Sequence, residues 1–139
     1  DPSLLELELS ERGVLNKRVE VIDQVHALKA LGVRISIDDF GTGQAAIAYL
    51  KDLPIDVIKI DRSYVHGHNK SGRNETIAAS MVALAHGLNA KVITEGVESE
   101  EQLCKAKDWG SQEYQGFLCS PAVSGEEFTA RFARCPDKH

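Results

Sequence analysis

The stretch VRISIDDFGTG at residues 33–43 decides how the rest of the chain is read. VRISID at 33–38 has the apolar content and length of a strand. It ends on adjacent Asp38 and Asp39, and GTG at 41–43 then reads as a turn. Upstream, Leu5, Leu7 and Leu9 alternate with Glu6 and Glu8, which predicts a strand over 4–9. Between them a helix is predicted from Asn16 to Leu31. Asn16 caps it, Val21, Ile22, Val25 and Leu28 share one face, and Gly32 stops it.

The same alternation continues downstream. Ile47 and Leu50 suggest a short helix, VIKID at 57–61 a strand, and 62–74 an exposed loop. Ile77, Met81, Leu84, Ala85 and Leu88 mark a helix over 75–89, followed by a strand KVIT at 91–94. Ser99 with Gln102 forms a capping box that opens a helix to Asp108, and QEYQG at 112–116 is a short strand. Ser124 with Glu127 opens a last helix, on which Phe128 and Phe132 lie one turn apart.

Strand and helix thus repeat about five times, the pattern of an α/β protein with a parallel sheet. Two architectures fit. A doubly wound open sheet of five strands suits the length. A (β/α)₈ barrel takes about 250 residues, so about three units would be missing. No GxGxxG follows a strand and no Walker A motif is present, which counts against those nucleotide folds.

Composition narrows the function. The 139 residues carry a net charge of −5 and no long Lys/Arg run, so a nucleic-acid polymer is not an expected partner. No apolar run approaches the roughly 20 residues of a membrane span. The N-terminus lacks the basic region and cleavage pattern of a signal peptide. Three cysteines, Cys104, Cys119 and Cys135, with no CxxC, suit a reduced cytoplasmic setting, or the cytoplasmic domain of a membrane-bound parent. The chain starts without Met and reads as a piece of something longer.

The informative polar residues sit at strand ends: Glu8, Asp38 with Asp39, Lys59 and Asp61, Glu95 with Glu98, and Gln115. In a parallel α/β sheet or barrel the C-terminal strand ends gather on one face, where ligands bind. Clustered carboxylates repel one another and resist desolvation; hard divalent cations relieve both costs. Neighbouring Asp38 and Asp39 reach one site only where the strand ends and turns. Any one of these acids is also a plausible cap or solvated charge. Lys59 inside an apolar strand otherwise needs a structural ion pair. His66 and His68 are read as solvated loop residues, with metal ligation as the rarer reading, His86 as structural and His26 as a surface residue. The cysteines are read as inert. Trp109, Phe117, Phe128 and Phe132 are read as packing residues, with a base-binding pocket beside Phe117 as the rarer reading.

Five motifs then coincide: ELSE at 8–11, DDFGTG at 38–43, IKID at 58–61, TEGVE at 94–98 and QGFLCSP at 115–121. In order and spacing they resemble the later motifs of the EAL-domain family, bacterial phosphodiesterases that open cyclic di-GMP to linear pGpG. The resemblance implies a modified TIM barrel, with residues 1–139 as the C-terminal portion of one such domain. It also implies Mg²⁺ or Mn²⁺, two ions in the intact site. Position by position, it makes Glu8 a metal ligand, Asp38 a bridge between two ions and Asp39 a ligand of the second. Lys59 would hold or help deprotonate the hydrolytic water. Glu95 would serve the second metal or water activation, with Glu98 supporting that shell. Glu11 would anchor the loop after the aspartates. Gln115, Gly116 and Pro121 would lie beside the nucleotide.

The sequence departs from the family pattern twice. The Glu-Ala-Leu segment and the metal-binding Asn of the family are not among these residues. The family's Tyr-Ser-Ser-Leu after DDFGTG is here Gln44-Ala45-Ala46-Ile47. That loop couples dimerisation to catalysis in the family. The expected partners are cyclic di-GMP, a second copy in a homodimer, and upstream sensory or diguanylate-cyclase-like domains. The isolated chain is expected to be nearly inactive. The alternatives are a catalytically silent module that binds cyclic di-GMP or a protein, and a different metal-dependent α/β hydrolase.

Overall fold

Period-two alternation builds the sheet and helical stripes cover one side of it. The computed structural model describes residues 1–11, 13, 18–42, 50–66 and 72–132. A 3₁₀ turn at Pro2–Leu4 leads into β1 (Glu6–Ser10), α1 (Arg18–Ala30) and β2 (Arg34–Phe40). Then follow β3 (Val57–Ile60), α2 (Ser63–His66), α3 (Arg73–Gly87), β4 (Lys91–Glu95), α4 (Glu100–Trp109), β5 (Glu113–Gln115) and α5 (Gly125–Phe132).

The five strands lie in the order β1-β2-β3-β4-β5, and every neighbouring pair is parallel. A doubly wound sheet reverses its order at a switch point. Here no reversal occurs, so right-handed crossovers all step the same way round, as in a (β/α)₈ barrel. The doubly wound alternative is set aside on that ground. The chain folds as a partial barrel.

Register assigns the faces. Glu8 pairs with Ser36, Ser36 with Val57, Ser10 with Asp38, Lys59 with Ile93, and Glu95 with Gln115. Because alternate residues share a face, Glu8, Asp38, Lys59, Glu95 and Gln115 all belong to one side. Ile35, Ile37, Ile58, Ile60 and Val92 belong to the other, where they form the core with Val25, Ala78, Val82 and Ala85 from the helices. Lys29 on α1 ties helix to sheet. It donates to Asp56 at 2.6 and 2.7 Å, and Asp56 in turn accepts from the Ile35 amide at 2.7 Å.

The Ser99–Gln102 capping box forms in full, and Gly110 closes α4 in the left-handed region. At α5, Ser124 accepts from the Glu127 amide at 3.2 Å, while the Glu127 carboxylate pairs with Arg131. The predicted cap Asn16 and the loop residues 44–47 lie outside the described residues.

Three readings change. The stretch 62–74 is not all loop: Asp61 accepts from the Ser63 amide at 2.9 Å and starts the helical turn α2, whose Val65 is buried. On α3 the buried face is Ala78, Val82 and Ala85, so Ile77 is 40% exposed instead of packed. Small residues let that helix approach the sheet closely. Phe117, Phe128 and Phe132 are exposed rather than packed, although the last two rings touch at a centroid distance of 5.1 Å. Trp109 is the aromatic that joins the core. No helix among the described residues is long and apolar enough to cross a membrane.

Candidate active site

The site forms where β1 to β4 end. Strand β2 does not stop at Asp38 but runs on to Phe40, and its register with β3 shifts between Ile37 and Phe40. Within that bulge Asp39 has φ +53°. A regular strand would aim Asp39 at the helices; the bulge turns its carboxylate back to the side of Asp38. The bulge, one step earlier than the predicted FGTG turn, therefore brings the two neighbours together. Thr42 closes the following turn by donating its amide and hydroxyl to the Asp39 carbonyl at 3.2 and 2.9 Å.

Asp38, Asp39 and Glu95 each offer one carboxylate oxygen within 4.8 Å of the others. Lys59, only 6% exposed, reaches into the same place. Its Nζ lies 2.8 Å from Glu8 Oε1, 2.7 Å from Glu95 Oε1 and 3.4 Å from Asp38 Oδ1. Burial works against the ammonium. The bonds to Glu8 and Glu95, with the charges of Glu95 and Asp38, outweigh it and hold the pKa above that of an ordinary lysine. At Glu95 the balance differs. Burial raises its pKa, Lys59 opposes the rise, and Asp38 and Asp39 add to it. Like charges crowd this carboxylate from two sides.

The donor set is oxygen only, and Asp38 Oδ1 is buried without a hydrogen bond. A buried carboxylate oxygen whose neighbour is the Lys59 ammonium at 3.4 Å, in a group of three acids, fits a hard divalent cation better than zinc. Asp39 also borders an open hollow with Ser10, Glu11 and Thr42.

The remaining predicted residues fall around this centre. Glu8 belongs to the Lys59 ion pair and lies outside the three-acid group. Glu11 is buried and accepts from the Gly41 amide at 3.0 Å. Glu98 stands apart: it is exposed, its amide donates to Gln102, and its carboxylate lies 3.9 Å from His66 Nε2. Gln115 is exposed beside Glu95 on β5, and its carbonyl accepts from the Val97 amide at 3.1 Å. Gly116 backs against Val97 so closely that a Cβ would strike the Val97 backbone. Pro121 is exposed.

His66 is half-buried, not a solvated loop residue, and its Nε2 lies 2.7 Å from the Gly96 carbonyl. Tyr64, which the sequence reading passed over, donates to the Gly41 carbonyl at 2.8 Å. The available signal was Asp61 two residues before Ser63, a cap placed to start a helical turn. His68 lies outside the described residues. His86 is joined to Gln112 at 2.8 Å, in keeping with a structural role. Cys104 and Cys119 are exposed free thiols.

A parallel barrel segment with acids and one buried lysine at its C-terminal strand ends defines a class: a carboxylate-rich site of TIM-barrel type. The family follows from comparison. The EAL domain profile matches residues 1–122, and the chain belongs to the EAL-domain family. It is 40% identical over 127 residues to the cyclic di-GMP phosphodiesterase NbdA of Pseudomonas aeruginosa, covering 89% of this chain and 16% of NbdA. The PaMucR phosphodiesterase in its c-di-GMP complex superposes with a TM-score of 0.87 at 37% identity, over 91% of this chain and 51% of that one. The manganese/cy-diGMP complex of Klebsiella pneumoniae BlrP1 superposes with a TM-score of 0.77 at 32% identity, over 84% of this chain and 30% of that one. The chain thus spans under a fifth of NbdA and about half of the PaMucR chain.

Proposed function

We propose that residues 1–139 are the C-terminal part of a cyclic di-GMP phosphodiesterase domain that yields linear pGpG. The observation that carries this reading is Lys59, buried in contact with Glu8 and Glu95 beside the Asp38–Asp39–Glu95 group, at strand ends of an EAL-family barrel.

Asp38, Asp39 and Glu95 would hold Mg²⁺ or Mn²⁺, with Glu8 joining when it leaves Lys59. Bound divalent ions supply positive charge that polarises the phosphodiester and acidifies water. The chain's own groups divide the rest. Lys59 would hold the water or a phosphate oxygen in line, or help deprotonate the water. Glu95 would serve the second ion or accept a proton from the water. Water oxygen bonds to phosphorus, the P–O3′ bond breaks, and the 3′ oxygen takes a proton. One ring opening leaves pGpG with a 5′ phosphate. Glu11 anchors the Gly41 loop, and Glu98 supports the β4 end from outside. Gln115, Gly116 and Pro121 lie along the nucleotide.

Homodimerisation, attached sensory or cyclase-like domains and a cytoplasmic location complete this reading. Residues 1–139 alone are expected to turn over little substrate. The replacement of the family's Tyr-Ser-Ser by Gln44-Ala45-Ala46 favours a second reading, a module that binds cyclic di-GMP without hydrolysing it. The test is pGpG formation by the natural-length protein with Mn²⁺ and with chelator. Metal-dependent pGpG supports the enzyme. Binding without product supports the silent module, and the absence of both binding and product overturns both readings.

A further inference from the structure

We propose that the helical turn α2 is a brace that sets the spacing between Asp38–Asp39 and Glu95, with Tyr64 and His66 as its positioning residues. This rests on the reading of those carboxylates as a metal site. Strand β3 lies between β2 and β4 in the sheet, so a turn that follows β3 is placed to reach the ends of both neighbours. It does reach both. Tyr64 donates its hydroxyl to the carbonyl of Gly41, two residues past Asp39, at 2.8 Å. His66 Nε2 lies 2.7 Å from the carbonyl of Gly96, one residue past Glu95. That oxygen can only accept, so Nε2 carries the proton.

Both glycines are shaped to meet the brace. Gly41 has φ +97° and Gly96 φ +68°, where side chains are disfavoured. A Cβ on Gly41 would lie 2.8 Å from the Tyr64 hydroxyl, and one on Gly96 would strike Arg62 and lie 3.1 Å from His66 Nε2. The brace is itself held at three points. Asp61 caps the Ser63 amide at 2.9 Å, the His66 amide donates to the Arg62 carbonyl at 2.9 Å, and Val65 is buried in the core. The Gly41 peptide is gripped from both ends, because its amide donates to buried Glu11 at 3.0 Å. The strand bearing Lys59 thus continues into the element that holds the two loops just past the acid-bearing strand ends.

The test uses the natural-length protein, with Mn²⁺ as the probe, followed by electron paramagnetic resonance of the free ion. Tyr64→Phe removes one oxygen and keeps the ring; His66→Phe removes the donor; His66→Gln restores one. Tyr64→Phe and His66→Phe are expected to weaken Mn²⁺ binding about tenfold each, with His66→Gln recovering part of the loss. In metal-free protein, amide exchange should rise at Gly41 and Thr42 for Tyr64→Phe, and at Gly96 and Val97 for His66→Phe. A change below about twofold in Mn²⁺ affinity for both folded variants overturns the brace. If the unsubstituted protein takes up no Mn²⁺, the metal-site reading fails, and the exchange pattern alone decides the brace: local increases support it, unchanged rates overturn it. If His66→Phe does not fold, Tyr64→Phe and His66→Gln decide by the same criteria.

Discussion

Lys59 Nζ lies 2.7 Å from Glu95 Oε1, yet the contact does not shift its two partners symmetrically. Attraction prevails at Lys59, which has Glu8 and Asp38 as further partners. Burial and two like charges prevail at Glu95. The lysine is therefore the fixed charge of the site and the glutamate its adjustable one.

Removing that fixed charge leaves four acids, Glu8, Asp38, Asp39 and Glu95, without the lysine among them. Lys59→Met is expected to destabilise metal-free protein at neutral pH by about 1–3 kcal/mol in urea unfolding. This is less than for a fully buried pair, because Glu8 keeps half its exposure to water. Mg²⁺ should recover more stability in the variant than in the unsubstituted protein. Phosphodiesterase activity should fall by about 10²-fold or more. An unchanged unfolding midpoint would refute the role of Lys59 as the compensating charge.

Stability should respond to pH through the same pair. The folded state holds the Glu95 proton more tightly than an unperturbed glutamate of pKa 4.5 does. Stability in chelator therefore falls as pH rises from 4.5 through the folded-state value, and Glu95→Gln removes that slope. Lys59 acts at the other end. Its contribution is full below the ordinary 10.5 and is lost as pH climbs through its raised value. Lys59→Met should flatten the alkaline limb. Thermal melts across both ranges check these slopes.

Asp39 carries the strain of the bulge. Its φ of +53° suits glycine, and its carboxylate is crowded by Asp38 and Glu95. Asp39→Gly is expected to raise metal-free stability by about 0.5 kcal/mol, the relief of backbone and charge exceeding the entropy cost of glycine. The same change should abolish tight Mn²⁺ binding. A variant that loses stability while keeping its metal affinity would contradict this assignment.

Gly116 has no room for a side chain against the Val97 backbone. Gly116→Ala should cost about 1–3 kcal/mol in denaturant unfolding, since backbone cannot move aside as a side chain can. It should also loosen the Val97 amide, which donates to Gln115. Exchange of that amide unchanged from the parent would mean the contact is slack.

Much of the fold was legible before any coordinates. The alternation at Leu7 and Leu9, the Val21–Leu28 stripe and the Ser99–Gln102 box each encode their element locally. Periodicity was misleading where the partner decides the face. Ile77 fits the α3 stripe by spacing, but Ala78, Val82 and Ala85 pack closer and leave it outside. The α2 turn was missed because four residues are too few to show a period.

The sequence by itself determined the parallel α/β class, the family motifs, and the set of ionisable residues that close the strands. It also put Glu8, Asp38, Lys59 and Glu95 at C-terminal strand ends, which gather on one face of a parallel α/β sheet. Only the tertiary structure decided the rest. The sequential strand order chose barrel over doubly wound sheet, since order depends on how crossovers step and not on any one segment. The bulge at Asp39 joined two neighbours that alternation would have parted. The meeting of Tyr64 with Gly41 and of His66 with Gly96 depends on β3 lying between β2 and β4, a relation between strands that no local pattern encodes.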